Sequence, residues 1–160
     1  AKQLQDVCTH MAAHDGAAVV EVLQNCVIFN DGTHKEVTDK EVRDDRQLWL
    51  EHGKPMIFGK NRDKGIVLRG TRLEVVTIGE NGITEDDILV HDETTENTGI
   101  HMMLAQMRPP QFPMAFGVIR AYKQPTYNQL FEKQMEEAQE NPKIKCVDDL
   151  LNSGETWEVK

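Results

Sequence analysis

The chain has 160 residues and a formal net charge of −9, with 28% charged and 39% hydrophobic residues, the composition of a soluble globular protein long enough for one core. The acidic balance argues against a nucleic-acid or membrane-surface binder, because both reward a basic face, and no apolar run approaches the roughly 20 residues of a membrane span. Cys8, Cys26 and Cys146 are far apart, odd in number and without a C-x-x-C pair, which excludes a disulfide framework and a self-contained zinc or iron–sulfur site.

In chain order, Leu4, Val7, Cys8 and Met11 repeat at the spacing of one helix face, which makes Cys8 a core residue, and Gly16 ends that helix. Residues 1–14 lack the basic start and apolar block of a secretory signal, so the cytoplasm is the expected compartment. Val19-Val20-Glu21-Val22-Leu23 is β-branched and nearly continuous, the pattern of a strand buried on both faces of a parallel sheet. Cys26 lies just past its end, where ligands gather in open α/β sheets, and Asn30-Asp31-Gly32 turns the chain away. By position alone, such a cysteine more often packs as a small hydrophobe.

Thr38-Asp39-Lys40-Glu41 has the form of a capping box and predicts a helix over 39–51, closed by Gly53, with Val42 and Trp49 on a narrow buried stripe and His52 at its negative end. A change of domain is expected between Gly32 and Thr38. The runs 56–58, 66–69 and 73–78, separated by glycines, predict a small antiparallel meander. A short strand over 88–90 follows. Ile100, Met103, Leu104 and Met107 mark a core-facing helix that ends at Pro109-Pro110. Residues 116–122 read as a strand, and Pro125-Thr126-Tyr127 opens a helix with Tyr127, Leu130, Phe131, Met135 and Ala138 on one face. Residues 139–145, with Pro142, read as a loop.

Among polar constellations, His91-Asp92-Glu93 would suit a metal or an acid–base pair, but adjacent residues point apart and no second histidine lies at ligand spacing, so a strand-end turn with a capping carboxylate is the simpler reading. Lys54, Lys60, Arg62, Lys64, Arg69 and Arg72 face only Asp63 in their stretch, a local +5 in an acidic chain, which is either a solvated hairpin or a patch that steers an acidic partner. No G-x-S-x-G, P-loop or G-x-G-x-x-G motif occurs.

Five segments carry a resemblance. They are the run from Gly16 through Cys26-Val27-Ile28-Phe29-Asn30-Asp31-Gly32; Leu50-Glu51-His52-Gly53-Lys54-Pro55-Met56-Ile57-Phe58-Gly59; Leu89-Val90-His91-Asp92-Glu93; Phe116-Gly117-Val118-Ile119-Arg120 with Gln124-Pro125-Thr126-Tyr127; and Asp149-Leu150-Leu151-Asn152-Ser153-Gly154-Glu155-Thr156-Trp157. In this order they resemble the C-terminal part of 2-oxoacid:ferredoxin oxidoreductase beta subunits, most closely the 2-oxoglutarate type. The resemblance implies an α/β fold, α+β in its C-terminal part: residues 1–35 would end a thiamine-diphosphate-binding domain, and residues 36–160 would form a small mixed domain with an antiparallel meander and helices.

It further implies oxidative decarboxylation of 2-oxoglutarate to succinyl-CoA with thiamine diphosphate, Mg2+ and a [4Fe–4S] cluster. Cys26 would be the fourth cluster ligand. The charge distribution, rather than the resemblance, makes Lys60, Arg62 and Lys64 a candidate patch for docking ferredoxin or the phosphates of coenzyme A. Implied partners are the alpha subunit, the N-terminal half of the beta subunit, ferredoxin, coenzyme A and the 2-oxoacid. The Gly-Asp-Gly block that holds magnesium and the diphosphate is absent from the sequence, so no complete thiamine site, and no activity, is expected from these residues alone. The alternative reading is a stand-alone interaction or assembly module without catalysis.

Overall fold

The Leu4, Val7, Cys8 and Met11 repeat forms helix α1 (Lys2–Ala12), although no residue of α1 is buried and Cys8 is only half-buried, not a core residue. The computed structural model describes residues 2–140 and 142–159, which fall into two compact units, Ala1–Lys123 and Gln124–Lys160. The folded elements are mixed helices and strands, with a parallel strand pair and an antiparallel three-strand meander, in keeping with the fold class expected.

Residues 17–25 correct the first strand expectation: they lie outside any strand, and Val19 is 97% exposed. A strand's amides and carbonyls need a neighbour, and none of the described strands pairs with this run. The helix expected over 39–51 is also absent. Two short helices, α2 (Lys35–Thr38) and α3 (Arg43–Arg46), lead into strand β1 (Gln47–Leu50). Thr38 does not cap; its hydroxyl donates to the His34 carbonyl at 2.9 Å. In β1, Leu48 and Leu50 are buried while Trp49 faces out, which is the period of two that a pleated strand imposes.

The partner of β1 comes from far along the chain. Strand β5 (Met114–Gly117) runs parallel to it, from Gln47 opposite Met114 to Leu50 opposite Gly117, and Trp49 stacks on Phe116 with ring centroids 5.1 Å apart. Gly117 ends β5 before the expected residue 122: it sits at φ +96°, and a Cβ there would lie 2.8 Å from the Leu50 carbonyl oxygen, so only glycine fits. The meander forms as expected from β2 (Ile57–Phe58), β3 (Lys64–Arg69) and β4 (Arg72–Thr77). Arg69 pairs with Arg72, so the β3–β4 loop is a two-residue turn with Gly70 at φ +60°.

Residues 88–90 are reduced to one bridge, Val90 to Pro55, but their backbone is tied down: the Leu89 amide donates to Ile66 at 2.8 Å, and its carbonyl accepts from Met56 at 3.0 Å. Helix α4 (Thr98–Gln106) is capped by Asn97, whose side chain accepts from the Gly99 amide at 2.9 Å, and it buries His101 and Leu104. Leu48, Ile66 and Leu104 are fully buried in one cluster with Met56, Phe58 and Met107, while Met103 and Ile100 pack against it. The methionine-rich stripe is therefore core, as expected.

In the second unit, Thr126 and Gln129 cap helix α5 (Tyr127–Glu140) reciprocally: the Gln129 amide donates to the Thr126 hydroxyl at 3.3 Å, and the Thr126 amide to the Gln129 side chain at 2.9 Å. Its apolar stripe, Tyr127, Leu130, Phe131 and Met135, is exposed. A short helix, α6 (Val147–Leu151), follows the polar stretch, with the Asp149 carboxylate accepting from the amides of Lys145 and Cys146 at 2.9 and 3.2 Å. Among the described residues no helix is long and apolar enough to cross a membrane.

Candidate functional site

The turn predicted at Asn30-Asp31-Gly32 closes a loop that holds Cys26. Asn25 clamps its two ends together: its side-chain oxygen accepts from the Gly32 amide at 2.8 Å, and its side-chain nitrogen donates to Asp31 at 2.9 Å. Gly32 takes φ +75°, and the Asn30 side chain donates to the Thr33 hydroxyl at 3.0 Å. Within the loop the Asn30 amide donates to the Cys26 carbonyl at 3.0 Å, folding residues 27–29 into a tight turn over the cysteine.

Cys26 is free and exposed. The amide of Phe29, then that of Ile28 and to a smaller degree that of Asn30, point at its sulfur and, against some desolvation, hold the thiol below its ordinary value. Amides around a sulfur stabilise the thiolate, the form that ligates metals. Val27, Ile28 and Phe29 turn their side chains into solvent beside it, an apolar rim around a polar centre. Among the described residues no group of three or more His, Cys, Asp or Glu side chains is placed to hold a metal, and Cys26 by itself could supply a single thiolate. Asn25 and the ring of amides are the parts of this loop that the sequence pattern did not single out; only the Asn-Asp-Gly turn signalled that a tight loop was there.

The basic run is less uniform than its composition suggests. Lys60 and Arg62 are exposed after β2, and Arg62 takes φ +54°. Lys64 is half-buried, its ammonium 2.8 Å from Asp45, and that hydrogen bond holds the Asp45 carboxyl below its usual range. Arg69 pairs with Glu74 at 3.1 Å and Lys54 with Glu51 at 2.6 Å. Among the described residues Lys60, Arg62 and Arg72 are the exposed cations of the run without an ion pair.

His91-Asp92-Glu93 is a structural turn, as expected. His91 is buried and donates from Nε2 to the Val118 carbonyl at 2.8 Å. The Asp92 carboxylate accepts from the amide and hydroxyl of Thr94, and its carbonyl meets His101 Nε2 at 2.8 Å. His52 serves no helix end, because the helix is a strand there; its Nδ1 accepts instead from the Glu93 amide at 3.3 Å.

Over 159 residues, 98% of this chain, the sequence is 31% identical to the 2-oxoglutarate oxidoreductase subunit KorB of Mycobacterium tuberculosis. The resemblance drawn from the five segments is borne out. The chain spans 42% of the length of that curated relative. No protein-family model and no solved structure matches the chain.

Proposed function

We propose that this chain is the C-terminal part of the beta subunit of a cytoplasmic 2-oxoacid:ferredoxin oxidoreductase acting on 2-oxoglutarate, residues 1–35 closing the thiamine-diphosphate-binding domain and residues 36–160 forming the domain that follows. The observation that carries this reading is the identity to KorB along nearly the whole chain. In the intact enzyme, thiamine diphosphate with Mg2+ supplies the decarboxylation, and a [4Fe–4S] cluster carries the electrons to ferredoxin, while the acyl group passes to coenzyme A. Cys26 gives one thiolate to the cluster, held in position by Asn25 and the amides of residues 28–30. Val27, Ile28 and Phe29 keep water from it once the N-terminal half of the subunit and the alpha subunit close over them. Lys60 and Arg62, with Lys64 tied to Asp45, form the basic edge for ferredoxin or for the phosphates of coenzyme A.

The test is made on the complete complex. Cys26→Ala is expected to abolish the cluster's visible absorption and ferredoxin reduction, whereas Cys8→Ala and Cys146→Ala retain both. An unchanged cluster in Cys26→Ala ends the ligand assignment, and a complex that reduces no electron acceptor with 2-oxoglutarate and coenzyme A ends the enzymatic reading in favour of an assembly module.

A further inference from the structure

A cleft of about 410 Å³ opens between α3, the meander and the residues before β5, within the size range of small-molecule sites. Its apolar side is formed by Phe58, Phe112 and the fully buried Pro113. Its charged side holds Glu41, Asp45, Arg46 and Lys64. Asp45 and Lys64 neutralise each other at 2.8 Å. Arg46 has no such partner: among the described residues its guanidinium makes no ion pair, and its Nη1 is shut off from solvent without an acceptor. Glu41 stands exposed on the rim. The cleft therefore joins one uncompensated, partly desolvated cation to a wall of two aromatic rings and a proline.

A guanidinium is a planar fork that matches the two oxygens of a carboxylate, and its charge-assisted hydrogen bonds are strongest where water is excluded. One free cation beside the rim carboxylate of Glu41 suits a single negative charge and disfavours a dianion. We propose that this cleft binds a small organic monocarboxylate, its charge paired with Arg46 and its carbon body laid against Phe58, Phe112 and Pro113. The proposal is independent of the enzymatic reading, because none of the residues it uses is Cys26 or part of its loop.

Benzoate and inorganic phosphate are the probes, titrated into the 160-residue chain while NMR follows the Arg46 Nε–H and the amides of Gln111 and Phe112. Benzoate is expected to saturate with Kd on the order of 1 mM, more weakly as salt is added, and phosphate to bind far more weakly. Arg46→Gln should weaken benzoate by roughly tenfold or more, the cost of a charge-assisted hydrogen bond, and Arg46→Lys by less, since it keeps the charge and loses the fork. Glu41→Gln should bind as tightly as the parent or more tightly. Shifts that do not saturate at tens of millimolar benzoate overturn the proposal, as does saturation unchanged in Arg46→Gln or phosphate binding as tight as benzoate. If Arg46→Gln does not fold, the parent titration with both probes and Arg46→Lys decide the same question.

Discussion

Residues 17–33 and residues 47–117 are both rich in aliphatic and aromatic side chains, yet one stretch is bare and the other is core. Leu48 is 0% exposed, and Phe29 is 91% exposed. Hydrophobicity does not separate them. What separates them is a partner: β1 lies beside β5 and shares a core with Leu104 of α4, β3 lies between β2 and β4, and among the described residues no strand lies alongside 17–25. Burial of a leucine or phenylalanine side chain contributes about 1.5–3 kcal/mol relative to leaving it exposed, and the run forgoes it at Val19, Val22, Val27, Ile28 and Phe29, the surface that the proposed function would cover.

The contrast is broken most severely from the core side. Leu48 sits on the buried face of β1 and packs in the cluster that includes Ile66 and Leu104. Leu48→Ala is expected to cost about 2–5 kcal/mol, because the lost side chain leaves a cavity in a cluster whose other members, Ile66 and Leu104 among them, are already fully buried and relax only in part. Urea unfolding of the 160-residue chain measures it. A loss under about 1 kcal/mol would mean that the core is loose enough to repack, and that the difference between the two regions is one of degree.

A smaller effect reads the same core through protons. Burial holds His91 below the ordinary histidine value, with the hydrogen bond to Val118 and the charge of Glu93 pulling the other way and His101 and His52 adding to the depression. A depressed histidine is neutral in the folded chain while its unfolded counterpart takes a proton, so stability is full above about pH 6.5 and falls as pH drops from there toward the folded value. The urea midpoint should therefore decrease between about pH 7.5 and about pH 5.5, above the range in which carboxylates titrate. His91→Gln, which still offers a donor to Val118, should flatten that slope. A slope of the same size in the variant would assign it to other histidines.

The meander was legible because glycines at 59, 70 and 79 punctuate short β-rich runs, and a two-residue hairpin loop fixes its own register, although Gly65, read as a break, lies inside β3. Helices α4 and α5 were legible from spacing. Residues 39–50 were not, because Val42 and Trp49 fit a helical repeat while Leu48 and Leu50 fit a strand, and the choice was made by β5, which is remote in sequence. The run 19–23 failed for the opposite reason: its β pattern is clear, but no described segment pairs with it. At the candidate site, Cys26 and the turn after it were visible. The amides aimed at its sulfur and the double clamp of Asn25 depend on loop geometry that residue spacing does not encode.

The smallest effect on stability belongs to the bare region. Val27, Ile28 and Phe29 are all exposed, and the hydrogen bonds that close their loop run through Asn25, Asn30 and backbone amides. Replacing the three together by serine removes little buried area, so the stability of the 160-residue chain should stay within about 0.5 kcal/mol of the parent. In the complete complex the same triple variant should lose assembly, seen as reduced co-purification of the alpha subunit or a cluster that bleaches faster in air, because the apolar rim beside Cys26 would no longer be dry. A destabilised isolated chain would show that the rim already packs within the chain. An unaffected complex would show that nothing covers it, and the contrast with the core would then have no functional meaning.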